Sequence, residues 1–281
     1  MKSPRIKIDI AKGCGFCGGV RRAVDMALKA ADEHGSVAML GDIVHNESVI
    51  SMLEDKGVRV VKSSEDISDM PILLRAHGTP PEMENFLRDK GLSLIDATCP
   101  LVKEIHKAVR ELEQEGRSCI VLGDKGHEEV TGIAGQVKNP LVVSGPRDAE
   151  KLPFIKKAGV VVQSTQTQKN LKSVVSILLP KVRDLRIINT ICAPSRQNQT
   201  EAERIAKEND MVVVIGSRTS ANTKRLFQVV KKYNPAVYLV SSPDELEKEW
   251  FNVVQSVGIT AGASTPDDVI GAVIDKIREC G

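Results

Sequence analysis

Leu92-Ser93-Leu94-Ile95-Asp96-Ala97-Thr98-Cys99-Pro100-Leu101-Val102 reads as a short apolar strand that runs into a cysteine and then into a helix, whose periodic pattern continues to Glu113. The same unit occurs twice more. Cys17 follows Ile6 to Ile10 and opens the helical run Gly19 to Ala31, and Cys192 follows Ile187 and Ile188 and opens Gln199 to Glu208. The register holds downstream: 24 residues beyond each cysteine stand Gly41, Gly123 and Gly216, closing the apolar runs Val37 to Leu40, Cys119 to Leu122 and Met211 to Ile215. Four positions further on come His45, His127 and Ser220, with Asn222 two beyond the last. A slot for a ligand repeats along with the fold.

Apolar runs of four to six residues, bounded by Gly, Pro, Ser or Asp, alternate with segments of 3.6-residue period, which predicts a parallel α/β architecture. Copy one supplies strands at Ile6 to Ile10, Val37 to Leu40, Val58 to Val61 and Ile72 to Arg75. Copy two supplies Leu92 to Ile95, Cys119 to Leu122, Leu141 to Val143 and Val160 to Gln163, and copy three Arg186 to Ile188, Met211 to Ile215, Ala236 to Val240 and Val257 to Thr260. The chain of 281 residues thus divides into three small lobes, 1–98, 99–191 and 192–281. The strand before each cysteine is the one element free to pair in a neighbouring lobe. Each lobe is a mostly parallel sheet of about four strands flanked by helices, and a pseudo-threefold arrangement would bring their strand ends to a central cavity. In such sheets ligands bind beyond the carboxyl ends of the strands, where helix N-termini present free N–H groups. All the slot residues, and the loops holding His77, Thr167 and Ser264, fall at such ends.

A net charge of +2 favours neither a nucleic-acid partner nor an acidic solvating chain. The apolar runs fall far short of the roughly 18 residues of a membrane helix, and residues 1–16 lack the apolar core of a signal peptide. The expected setting is the cytoplasm, with no membrane partner, where six cysteines serve metal or redox chemistry rather than a disulfide framework.

One thiolate from each lobe suits a single soft metal centre. A structural zinc site takes four ligands, commonly in close pairs; three separated cysteines fit a [4Fe-4S] cluster with one open iron that acts as a Lewis acid. Such a cluster can lose that iron in air, giving [3Fe-4S] or an empty site. Cys14, in Gly13-Cys14-Gly15-Phe16-Cys17-Gly18, offers a C-x-x-C alternative and a lone match to a dinucleotide fingerprint, but the expected acid ending the second strand is absent from Val37 to Leu40. Cys119, inside an apolar strand, and Cys280, near the terminus, read as structural or incidental. His45, His77 and His127, with Ser220, Asn222 and Ser264, make a donor-rich pocket suited to a phosphate or diphosphate, and an aromatic content of 3% argues against stacking on a base or sugar. Glu129 is a candidate proton donor or a helix-capping acid; Thr167 is a candidate relay or an N-cap.

Gly15-Phe16-Cys17-Gly18-Gly19-Val20, Val44-His45-Asn46, Ala76-His77-Gly78, Asp96-Ala97-Thr98-Cys99-Pro100-Leu101-Val102, Gly126-His127-Glu128-Glu129-Val130 and Thr260-Ala261-Gly262-Ala263-Ser264-Thr265-Pro266 stand in the order of the motifs of the 4-hydroxy-3-methylbut-2-enyl diphosphate reductases, and the chain resembles that family over nearly its whole length. The resemblance implies reductive dehydroxylation of the allylic diphosphate to isopentenyl and dimethylallyl diphosphate, the last step of the methylerythritol phosphate route. It implies a [4Fe-4S] cluster on Cys17, Cys99 and Cys192, and electrons from a ferredoxin or flavodoxin. It assigns the diphosphate to His45, His77, His127, Ser220, Asn222 and Ser264, with Ala221 standing where the family commonly has a second serine. Proton delivery falls to Glu129, helped by Thr167 and His127. The chain departs from the family also at Gln168, where a second threonine is common, and in having Cys14. Two other classes share these donors: an iron-sulfur hydratase, which turns over without reductant, and a cluster-based sensor or anion binder, in which Glu129 and Thr167 have no task.

Overall fold

The computed structural model describes residues 6–61 and 70–280. Residues 1–5, part of the stretch read as lacking a signal core, lie outside the described residues. In chain order the elements are β1 (Lys7–Ile10), α1 (Gly18–His34), β2 (Val37–Leu40), α2 (Glu47–Asp55), β3 (Val58–Val61), β4 (Ile72–Leu74), α3 (Pro81–Asp89), β5 (Leu94–Asp96), α4 (Pro100–Gln114) and β6 (Ser118–Leu122). They continue as α5 (Glu128–Ala134), β7 (Leu141–Val143), α6 (Pro146–Glu150), β8 (Ile155–Val162), α7 (Gln168–Leu178), β9 (Val182–Ile187), α8 (Ala193–Glu208), β10 (Met211–Ile215), α9 (Ala221–Tyr233), β11 (Val237–Val240), β12 (Ser256–Ala261) and α10 (Asp267–Cys280). The strands form three parallel sheets of four, ordered β3-β2-β4-β5, β7-β6-β8-β9 and β11-β10-β12-β1. The α/β class with four-stranded parallel sheets is borne out, and all three sheets share one order.

That order gives the first strand of each copy to a neighbouring sheet, the pairing that the sequence leaves open. The strand leading into each cysteine pairs with the sheet before it: Leu73 sits opposite Ile95, Val160 opposite Ile187, and Ile8 of β1 opposite Val257 of β12, so that the first strand completes the last sheet. The physical reason lies in the helices. After Cys99, α4 lays Ile105, Val109 and Leu112 on Cys119, Val121 and Val161 of the following sheet, so the cysteine marks the step from one sheet to the next. β1, β5 and β9, half exposed and mixed in polarity, take an outer position, whereas β10 throughout and β6 from Cys119 onward are apolar and buried on both faces.

The chain divides into two compact units: Met1–Val20, Val44–Val49 and Ala193–Gly281 in one, Arg21–Ile43 and Ile50–Cys192 in the other. In the first, Met211, Val213 and Ile215 face Ile270, Val273, Ile274 and Ile277 of α10, while Val212 and Val214 face Ala202 and Ile205 of α8 and Leu226 and Val230 of α9. The two-residue period of the strand meets the 3.6-residue stripe of the helices. In the second, Ile120, Leu122, Val160 and Val162 pack on Leu171, Val174 and Leu178 of α7. Each such side chain contributes roughly 1.5–3 kcal/mol on burial, against about 0–1 kcal/mol for surface pairs such as Arg204 with Asp9. β8 is eight residues long, beginning at Ile155 rather than Val160. Exposed Lys156 and half-buried Lys157 interrupt the apolar run that betrays a strand. Among the described residues no helix is long and apolar enough to cross a membrane.

Candidate functional site

A sheet in which the strand order reverses between its two inner strands binds ligands beyond the carboxyl ends of those strands. The loops after β2, β6 and β10 and after β4, β8 and β12 are those positions, and the slot residues lie in them or, for Asn222, in the first turn of the helix that follows. The repeat is exact in its backbone bonds. Gly41, Gly123 and Gly216 donate their N–H groups to the carbonyls of Val61, Val143 and Val240 at 3.1, 2.9 and 2.9 Å. Cys17, Cys99 and Cys192 donate theirs to Ala263, Ala76 and Ser164 at 3.1, 3.0 and 3.0 Å. Each cysteine then opens a helix, α1, α4 or α8, whose unpaired N–H groups and positive end favour an anionic sulfur.

These three are half-buried, and none lies inside a strand. Cys119 does; burial, with Glu113 nearby, pushes its thiol up to about 11. Cys14 packs against both apolar clusters of its unit, and burial, reinforced by Asp267, pushes its thiol up to about 11 as well. Each of the three register cysteines thus stands at an equivalent helix start with its side chain half-buried, chemistry that suits a thiolate donor to a soft metal, whereas Cys14 packs among apolar side chains.

In the unit holding Cys99 and Cys192, the loop after β6 ends at His127, the N-cap of α5. Its Nδ1 accepts from the N–H of Glu129 at 3.1 Å, so Nε2 carries the proton in the neutral ring. Glu129, only 2% exposed, accepts from the N–H of Ser164 at 2.6 Å through Oε1 and from Ser164 Oγ at 2.8 Å through Oε2. Ser164 is the residue whose carbonyl receives Cys192. His77 meets His127 edge-on at 5.6 Å between ring centres, and its Nδ1 lies 3.4 Å from Glu128, which Arg75 also binds. Gly78 follows at φ +84, with His106 stacked so close that an added Cβ would sit 2.6 Å from its Cε1. Burial and then Arg110 push His106 down to about 4. Thr167 caps α7, its Oγ1 accepting from Asn170 N–H at 3.1 Å, which leaves its hydroxyl hydrogen for a ligand.

In the unit holding Cys17, Ser220 caps α9 by accepting from Thr223 N–H at 3.3 Å. Ala221 and Asn222 are the first two residues of that helix and are buried. Both amide atoms of Asn222 are buried with no hydrogen-bond partner. Ser264, also buried, donates through Oγ to the carbonyl of His45 at 3.3 Å. Glu47 accepts from Ser217 Oγ at 2.9 Å, tying the His45 segment to the loop after β10. A buried amide left without partners costs on the order of 1–3 kcal/mol per group, and a ligand that accepts from Nδ2 or donates to Oδ1 would offset that cost.

The pattern of the LytB protein family matches residues 8–278. The chain is 42% identical over 276 residues to the 4-hydroxy-3-methylbut-2-enyl diphosphate reductase of Geobacter sulfurreducens, covering 98% of each. It is 39% identical over 279 residues to the enzyme of that name from Aquifex aeolicus, covering 98% of this chain and 96% of that one. A solved structure of (E)-4-hydroxy-3-methyl-but-2-enyl diphosphate reductase, the terminal enzyme of the non-mevalonate pathway, matches with a TM-score of 0.71 at 38% identity, covering 98% of this chain and 99% of that one. The E-1-hydroxy-2-methyl-but-2-enyl-4-diphosphate reductase of Plasmodium falciparum matches with a TM-score of 0.91 at 28% identity, covering 97% and 88%.

This chain belongs to the LytB protein family. As a LytB-family oxidoreductase it bears out the resemblance drawn from the motifs. No motif in the sequence marks Ser164 or the ion pair of Arg75 with Glu128. Ser164 lay unremarked at the head of the loop Ser164-Thr165-Gln166-Thr167, and no local pattern announces that a loop after one strand will meet the helix after another. Arg75 stands at the end of a predicted strand, and the available signal is an arginine and a histidine, Arg75 and His77, within three residues of each other and facing the acids at the start of α5.

Proposed function

We propose that this chain removes the hydroxyl of 4-hydroxy-3-methylbut-2-enyl diphosphate with two electrons and two protons, breaking the C–O bond, forming a C–H bond and releasing water, to give isopentenyl and dimethylallyl diphosphate. The observation that carries the reading is the buried Glu129 carboxyl held by Ser164 on the residue that anchors Cys192. An acid there, beside a thiolate position, is what a poor leaving group needs. Cys17, Cys99 and Cys192 would hold a [4Fe-4S] cluster, which when bound supplies single electrons and a Lewis-acidic iron for the substrate oxygen. Asn222, Ser220 and Ser264, with Ala221 alongside, and His45, His77 and His127 would bind the diphosphate by donating N–H and O–H groups to its oxygens. Glu129 would protonate the departing hydroxyl and, through Thr167, the allyl carbon. A ferredoxin or flavodoxin of the cytoplasm would deliver the electrons one at a time.

The test is anaerobic purification followed by addition of the allylic diphosphate and a one-electron dye, with iron and sulfide measured alongside. Substrate-dependent dye oxidation with about four irons per chain supports the reductase, and loss of iron from Cys17→Ala, Cys99→Ala and Cys192→Ala but not Cys14→Ala supports the ligand set. Substrate binding without electron consumption returns the reading to the hydratase or the sensor.

A further inference from the structure

We propose that Ser164 is a positioning residue for proton delivery, acting through Glu129. The inference rests on the reading of Glu129 as the acid. Ser164 engages both carboxyl oxygens at once: its backbone N–H donates to Oε1 at 2.6 Å and its hydroxyl to Oε2 at 2.8 Å. Two donors on one residue fix the carboxyl plane, and both side chains are buried, at 2% and 8% exposure.

The two bonds differ in kind. A backbone N–H only donates, so Oε1 is held as an acceptor in every protonation state. A hydroxyl both donates and accepts. When Glu129 is ionised the hydroxyl gives its hydrogen to Oε2, and when Oε2 carries the proton the hydroxyl turns and receives it. The carboxyl group therefore gains and loses a proton at Oε2 without leaving its place. The carbonyl of the same residue accepts from Cys192 N–H at 3.0 Å, so one residue sets Glu129 against the backbone of a register cysteine. A structural serine needs one partner; this one spends N–H, O–H and C=O on the acid and the cysteine.

Ser164→Ala deletes only the hydroxyl and keeps both backbone bonds. The expected result is a fall in kcat of about 10-fold with KM nearly unchanged. Loss of a donor to the ionised carboxyl also moves the alkaline limb of the kcat profile to higher pH. Ser164→Thr, which keeps a hydroxyl, restores most of the rate. In single turnovers the double variant E129Q/S164A matches Glu129→Gln alone, because nothing remains for the serine to position. The proposal is overturned by a wild-type rate and pH profile in Ser164→Ala, by the same fractional loss in the Glu129→Gln background as in the wild type, or by a loss that tracks lowered iron content or Tm with an unmoved profile. Full activity in Glu129→Gln is a separate result, which removes the acid reading itself.

Discussion

Glu129 and Asn222 occupy one address in two sheets. Each is the second residue of the helix after an inner strand, α5 or α9, two places beyond a slot residue, His127 or Ser220, that caps the helix with a side-chain acceptor. Each is buried. Yet the carboxylate of Glu129 is held by two bonds from Ser164, and the amide of Asn222 is left with both atoms unpartnered. The neighbouring loop makes the difference: the loop after β8 offers a serine to α5, while Ser264 after β12 turns to the carbonyl of His45. One scaffold position, repeated, carries a carboxylate held by two bonds in one copy and a buried amide without partners in another.

The largest expected effect breaks the first half of that contrast. Glu129→Gln keeps the shape and removes the acid, and kcat in an anaerobic steady-state assay falls by about 10²–10⁴-fold. Next comes the ring behind the His77 loop. His106 is neutral in the fold down to about 4 and ordinarily titrates near 6.5. The unfolded chain binds the extra proton between those values, so stability is full above about 6.5 and falls as pH drops toward about 4, by roughly 2–3 kcal/mol. Urea midpoints across that window show the decline in wild type, and replacement of His106 by Gln flattens it.

The second half of the contrast is sharpened by Asn222→Ala. Removing two unpaired buried groups leaves the ligand-free Tm unchanged or raised, since each such group costs about 1–3 kcal/mol, while the rise in Tm on adding inorganic diphosphate shrinks. A lowered ligand-free Tm with an intact diphosphate response counts against the open receptor. The smallest effect concerns the loop that carries Ser220. The Arg218 guanidinium, bonded to Glu245, holds that carboxyl down to about 2 from 4.5. The pair's contribution is present above about 4.5 and lost as pH falls through about 2. The Tm gap between wild type and Arg218→Ala, within about 1 kcal/mol for so exposed a pair, closes over that interval.

The repeat itself was legible because it is local: a cysteine, a glycine and a slot residue at fixed spacing need only the chain's own periodicity. The backbone bonds at Gly41, Gly123 and Gly216 and at the three cysteines return that spacing in space. That the strand before each cysteine can leave its copy was legible, but which strand it meets was not, because β1 is chosen by β12 from the far end of the chain. Ser164 was hidden for the same reason, its role resting on Glu129, 35 residues away. Asn222 was visible as a donor, but its lack of partners is a property of packing that no spacing reports.

The most direct test of one address with two chemistries is to measure substrate Kd and saturated turnover side by side for Glu129→Gln and Asn222→Ala under anaerobic conditions. The account predicts that Glu129→Gln binds with Kd within a few-fold of wild type and scarcely turns over, and that Asn222→Ala binds about 10-fold more weakly and turns over once saturated. The opposite assignment, weak binding in Glu129→Gln with turnover intact and unchanged binding in Asn222→Ala, would contradict it.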